Sequence, residues 1–288
     1  MDINICWSID CESIRRGIND IELGKRAVKG FCDILEASGW VGTLFLMPEE
    51  LIPLSGLIGE KAEKGHEIAL HLHPEESGYR SGYLGVFSYE EQLEIIGKAV
   101  QTFEKVLGTK PVTARPGYGS ANDHTFRAFY NSGFKQTSAS FPGRILTSVA
   151  SNWAGAPLYA HYTDPNNRFL SGSLDLVEIP FSVDTGSMIW GGIHPQDLRV
   201  ELTDAKNHGF TIRKILKNQI EEKLPMKALL PFTHNIFEYS DQSDFRRETM
   251  LGMNCKISEA AQELGLETRG VTIAKAADAF REVRKNEA

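Results

Sequence analysis

No run of ~20 apolar residues occurs anywhere in the chain, so no membrane-spanning helix is expected. Net positive charge is also missing. The formal charge is −7, which argues against nucleic acid as a partner, because a phosphate backbone needs a basic face. The first residues, Met1-Asp2-Ile3-Asn4, lack the basic and apolar regions of a secretory leader, and a cytoplasmic location is the expectation. Cysteine is scarce. Cys6, Cys11, Cys32 and Cys255 show no paired spacing and read as reduced thiols. Linkers, low-complexity tracts and internal repeats are absent too, so residues 1–288 read as a single domain. A length of 288 residues, 41% of them hydrophobic, suits one α/β barrel with one large core.

What is present alternates between strand and helix patterns from end to end. Strands are expected at 3–9, 40–47, 67–72, 111–114, 135–139, 176–181 and 228–232. Helices are expected at 21–38, 48–64, 89–107, 121–132, 210–222, 244–264 and 272–285. The helix from 89 is the most strongly marked. Ser88 and Glu91 form a capping box, Leu93, Ile96, Val100, Phe103 and Leu107 follow at 3–4 spacing, and Gly108 stops it. A short strand is expected near Glu267. Residues 74–87, 141–172 and 184–207 read as irregular. Six or seven strand-then-helix units predict a parallel α/β barrel, whose chemistry sits at the C-terminal ends of its strands.

At those ends lie the chemically able residues. His71 and His73, two apart at the end of a strand, share one face. Asp10 and Glu12 share a face at the end of the first strand. Two imidazoles and a carboxylate suit Zn²⁺, Fe²⁺ or a similar divalent ion with open coordination positions. Taken alone, a His-x-His pair is more often a surface or satisfied core feature. The convergence of Asp10, Glu12, His71, His73, Arg115 and His234 on strand ends is what points to one site. Arg115 can form an ion pair with Asp10. His234 can act as a general acid toward a leaving amine. Asp184, Trp190 and His194 can line a cleft, and His124 and His161 read as solvated.

With these residues assembled, the chain resembles the polysaccharide deacetylase family, the NodB-homology domain. Ser8-Ile9-Asp10-Cys11-Glu12 is similar to its first motif, and Gly42 to Leu46 to its second strand. Gly65-His66-Glu67-Ile68 with His71 is similar to the lead-in and first histidine of its metal motif. Arg115-Pro116-Gly117-Tyr118 and Leu229 to His234 resemble its later motifs. His71-Leu72-His73-Pro74 resembles a His-x-His-Pro variant of surface-polysaccharide loci such as those for O-antigen. The resemblance implies a distorted parallel (β/α)7-type barrel and metal-dependent hydrolysis of an N-acetyl or other acyl group on a sugar. It implies Glu12 (or Asp10), His71 and His73 as ligands, with Glu75 standing where the family's second histidine usually lies. Zinc is the expected ion, with Fe, Co or Mn as alternatives. It further implies Asp10 as base, Arg115 as its orienting partner, a backbone N–H near Tyr118 at the oxyanion, and His234 as acid. The expected substrate is an acylated sugar, a nucleotide sugar or a lipid-linked saccharide. An amidohydrolase or phosphoesterase-type barrel acting on a non-sugar substrate, and a non-catalytic sugar-binding homologue, are the rival readings.

Overall fold

The computed structural model describes residues 2–189, 192 and 194–287; Trp190 lies outside them. The chain is an α/β fold with a curled, mostly parallel half-barrel at its centre. Its first expected strand is in fact two, β1 (Asp2–Ile5) and β2 (Ser8–Cys11). So is the strand expected at 228–232, which divides into β13 (Lys227–Leu229) and β14 (Phe232–His234). The two breaks lie side by side. Ile5 pairs with Leu229 below them and Ser8 with Phe232 above. Between the strands, Cys6 N–H donates to Leu229 O (2.7 Å) and Ser8 N–H to Pro231 O (3.1 Å). Pro231 has no N–H for a ladder, which explains why the strand divides there. Hydrophobicity runs on through both breaks, so periodicity alone does not reveal them.

Above the breaks, an eight-stranded sheet follows the order β14-β2-β3-β4-β5-β6-β10-β9. Its middle members are β3 (Thr43–Leu46), β4 (Glu67–Leu72), β5 (Thr113–Pro116) and β6 (Gln136–Thr137). β9 (His161–Tyr162) runs antiparallel to β10 (Val177–Glu178), and the other pairs are parallel. Below, β1 lies between β13 and β15 (Glu267–Gly270) in a small parallel sheet.

Helices cover the outside. They are α1 (Ile21–Ala37), α2 (Leu51–Glu63), α3 (Tyr89–Leu107), α4 (Thr125–Asn131), α5 (Ala205–Glu221), α6 (Phe245–Glu263) and α7 (Ile273–Glu287). α3 has the reciprocal Ser88–Glu91 capping box, and Gly108 at φ 72° closes it. Covered on both faces, β2 and β3 are buried along their whole length, which is why they read as apolar runs rather than alternating strands. Ala27, Val28, Phe31, Ile34 and Leu35 form the buried stripe of α1, and Phe31 meets Trp7 edge-on at 6.2 Å. No helix among the described residues is long and apolar enough to cross a membrane.

The edge strands of the sheet are β9 and β14, and residues 179–182 with Leu198 link the β6 side of the sheet to β14. Ile179 N–H donates to Thr137 O and Phe181 N–H to Ser140 O on one side. On the other, Leu230 N–H donates to Ser182 Oγ and Phe232 N–H to Leu198 O. The stretches expected to be irregular hold short hairpins, β7 (Ile145–Leu146) with β8 (Ser151–Asn152), and β11 (Val183–Met188) with β12 (Pro195–Asp197). Three of these strands are only two or three residues long, and β11 changes register between Asp184 and Met188, so none gives a periodic signal. His161, expected at the surface, is 6% exposed, with Nδ1 against Tyr159 O at 2.9 Å; His124 is exposed as expected.

Candidate active site

Register brings the chemical groups to one end of the half-barrel. His234 lies beside Asp10 across β14 and β2, and His71 lies beside Arg115 across β4 and β5. A cavity of ≈ 270 Å³ opens there, lined by Asp10, Glu12, His71, His73, Arg115, Tyr118 and His234 among others. The same cavity takes in His194, whereas Asp184 is held in an ion pair with Lys214 at 2.8 Å and does not line it.

Glu12, His71 and His73 form the metal-capable cluster. All three are buried, and one donor atom from each lies within 4.8 Å of the others. His71 Nδ1 faces Arg115 O at 3.1 Å, which assigns its proton to Nδ1 and turns the Nε2 lone pair toward Glu12 Oε2, 3.7 Å away. His73 Nε2 is 2.8 Å from Glu12 Oε2 but outside hydrogen-bond geometry, and both ring nitrogens of His73 are buried without a hydrogen-bond partner. Buried polar atoms without partners are rare in folded proteins, because each gives up its hydration for nothing, and coordination to a cation would satisfy such a nitrogen. Burial pushes the His73 imidazole down to about 4, so it is neutral and ready to ligate. Burial alone would raise the Glu12 carboxyl. The neighbouring His71 and His73 outweigh it and hold Glu12 well below the usual carboxylate range. A neutral His73 imidazole, an ionised Glu12 carboxylate and unpartnered ring nitrogens fit a divalent cation. Glu75, by contrast, is exposed, and its carboxylate lies against Gly82. Asp10 stands outside the three-residue cluster.

Asp10 Oδ1 accepts a 2.6 Å bond from Arg115 NH1. Arg115 is 1% exposed, and its other donors reach Ser8 Oγ, Ser138 O and Ser138 Oγ. Phe45 and Phe181 lie 3.9 Å and 4.3 Å from its guanidinium carbon, so the cation is held by rings as well as by oxygens. Tyr118 sits in the left-handed region at φ 60°, with its ring against His73 at 5.1 Å.

Several residues that complete the site carry no signal in the sequence. Glu201 Oε1 lies 2.6 Å from His234 Nδ1, and Glu201 Oε2 accepts from Thr233 Oγ1 at 3.1 Å. Burial alone would lower the His234 imidazole. The Glu201 carboxylate overrides it and raises His234 to about 9. Asn235 Oδ1 accepts from Glu12 N–H (2.7 Å), while Asn235 Nδ2 donates to Glu50 Oε2 (3.0 Å). Glu50 Oε1 in turn accepts from Ser13 Oγ and Ile14 N–H. This buried network fixes the turn that carries Glu12. Arg15 donates from NH1 to Glu12 Oε2 at 2.9 Å and from NH2 to the Tyr118 hydroxyl. Gly117 is required for a steric reason, since a Cβ there would lie 2.3 Å from His73 Cε1.

Residues 18–137 match the family model described as Polysaccharide deacetylase, which bears out the resemblance read from the motifs. The match includes His71, His73 and Arg115, and excludes Asp10, Glu12 and His234. No curated protein matches the chain. Among solved structures, a putative polysaccharide deacetylase from Mycobacterium smegmatis shares 17% identity at TM-score 0.66, with 98% of this chain and 91% of that one covered. A probable polysaccharide deacetylase from Pseudomonas aeruginosa PAO1 shares 14% at TM-score 0.63, covering 97% and 91%. An allantoinase, Puue, shares 15% at TM-score 0.61, covering 97% and 90%. These similarities establish the shared fold.

Proposed function

We propose that the protein is a metal-dependent deacylase that hydrolyses an N-acetyl, or other small acyl, amide on a sugar or sugar precursor of surface-polysaccharide biosynthesis. The observation that carries this reading is the buried Glu12–His71–His73 cluster beside the Asp10–Arg115 pair in one cavity. Because the site draws on residues from 10 to 234, we take the whole chain as one catalytic domain.

Glu12, His71 and His73 would hold the cation, zinc by preference, with iron, cobalt or manganese as alternatives. When bound, such an ion supplies Lewis acidity, lowering the pKa of water toward ~7 and polarising an acyl oxygen. Asp10 accepts the proton of the attacking water. Arg115 orients that carboxylate through the NH1 bond and is itself held by Ser8, Ser138 and the phenylalanine rings. A backbone N–H near Tyr118 would meet the developing oxyanion. His234, kept protonated by Glu201, gives its proton to the departing amine. Water and amide are consumed, and carboxylate and amine leave.

The test is acetate release. N-acetylated nucleotide sugars and N-acetyl oligosaccharides are offered to the zinc-loaded protein, with chelation and re-addition of metal as the control. Release that disappears on chelation and returns with metal is the expected result. Retention of metal with no release from any acylated sugar would transfer the reading to a non-sugar amide. A protein that holds no metal, yet binds the sugars, would be a non-catalytic homologue.

A further inference from the structure

Four arginines line the cavity, and two of them are not accounted for by the proposed chemistry. Arg115 is answered by Asp10, and Arg15 by Glu12. Arg144 and Arg199 remain, on the wall formed by residues 141–146 and 194–199. Arg144 is 6% exposed and forms no ion pair among the described residues. It is nonetheless fixed. Its guanidinium lies 3.5 Å from the Phe141 ring centroid, NH1 donates to Tyr118 O at 3.0 Å, and Nε donates to His194 Nδ1 at 3.1 Å. His194 Nε2 then faces Asp197 Oδ2 at 3.1 Å. Among the described residues Arg199 pairs only with the same Asp197, with Nε 3.9 Å from Oδ1, and that Nε is buried without a hydrogen-bond partner.

One buried carboxylate therefore stands behind two guanidiniums. Burial first, and the like charge of Arg199 in addition, push Arg144 down to about 9 against the opposing pull of Asp197. Arg144 NH2 also lies 3.1 Å from His194 Nε2, so its partners are neutral groups, while Arg199 keeps an unspent Nε; two cations so held and short of counter-charge would be relieved by an anion entering the cavity. A planar guanidinium fork matches a carboxylate or a phosphate bidentately. A neutral sugar hydroxyl would leave the charge unanswered.

We infer that the substrate carries an oxyanion, a carboxylate or a phosphate, close to the scissile acyl group, and that Arg144 and Arg199 recognise it. This rests on the deacylase reading for the identity of the reacting amide, but the anion site can be tested apart from turnover. The protein is the full-length chain with Asp10→Asn, loaded with zinc, so that ligands bind without being consumed. The probes are N-acetylglucosamine 1-phosphate, N-acetylmuramate and N-acetylglucosamine, titrated calorimetrically at low and high salt. The expected result is affinity at least about tenfold higher for one or both anionic probes than for the neutral one, weakening with salt. The stronger of the two identifies phosphate or carboxylate. Arg144→Gln and Arg199→Gln should each reduce the charged-to-neutral ratio by about tenfold. Should the buried Arg144 variant fail to fold, the partly exposed Arg199 carries the test. Equal affinity for charged and neutral probes, no binding of either anion, or a preference that survives the arginine substitutions would overturn the inference. Acetate release from the three compounds, with Asp10 intact, separates the two readings. Anion preference without release defeats the deacylase reading alone. Release without anion preference defeats the oxyanion inference alone.

Discussion

His234 and Glu201 form an ion pair at the cavity edge, Nδ1 to Oε1 at 2.6 Å, across 33 residues of sequence. The pair raises the imidazole to about 9, so at neutral pH His234 is the charged form, with a proton to give. Rate should accordingly fall as pH rises through about 9. In Glu201→Gln the largest counter-charge to burial is lost, with only Glu12 and Asp10 remaining, and this descending limb should move to lower pH. The same pair contributes to stability with a defined sign. The folded pKa lies above the unfolded one, so the contribution is complete below pH 6.5 and is lost as pH rises through about 9. Chemical denaturation of wild type and Glu201→Gln between pH 6 and 10 checks this, and a gap between them that widens with pH would contradict it.

Metal affinity should distinguish His73 from Glu75. His73→Ala removes a buried ligand atom and should abolish zinc retention in a competition titration. Glu75→Ala, at an exposed position against Gly82, should change affinity by less than the ~10–100-fold typical of an outer-shell partner. The reverse order would assign the ligand to Glu75.

Asp10→Asn should keep the metal and lose about 10²–10⁴-fold in turnover, since a proton acceptor is removed while an oxygen remains. Glu12→Gln should weaken the metal itself. Elemental content and acetate release, measured on the same two preparations, test the division of labour, and an exchanged pattern would exchange the roles.

Gly117→Ala should damage the metal site more than the fold. The added methyl would meet the His73 ring at 2.3 Å and drive the imidazole away from Glu12. Overpacking of this kind costs about 1–3 kcal/mol, which a domain of this size tolerates. Zinc affinity should fall at least tenfold while cooperative thermal unfolding is retained. Unchanged affinity would show that the His73 ring can occupy another position without loss.

Much of this site is legible in the amino-acid sequence. Alternation places His71 with His73 and Asp10 with Glu12, because a strand repeats every two residues and both pairs lie at strand ends. Arg115 and His234 are found by the same rule of strand ends. The helices follow from caps and 3–4 spacing, most clearly at Ser88 and Glu91. Glu201, Glu50, Arg15, Arg144 and Asn235 escape because their meaning is long-range. Asn235 is a partner of Glu50 only once the chain between them, a separation of 185 positions, has folded. Arg144 and Glu201 lie in stretches with no periodicity, where nothing local tells which side chain turns inward. The divided strands at Cys6–Trp7 and Leu230–Pro231 escape for the opposite reason, since burial on both sides of the break keeps the sequence uniformly apolar.

The side-by-side pairing of β2 with β14 has a consequence for the order in which the protein becomes functional. The three metal-capable residues all lie within the first 73 positions, at the ends of β2 and β4, which only β3 separates in the sheet. His234, its partner Glu201 and Asn235, whose amide holds the Glu12 backbone, come from residues 201–235, and they dock only when the last strand of the sheet closes on the first. Pairing two strands so far apart along the chain carries the largest loop-closure cost in the sheet and is an intrinsically slow step. During refolding, ion capture should therefore precede the return of turnover, and the lag between the two measures the docking of β14.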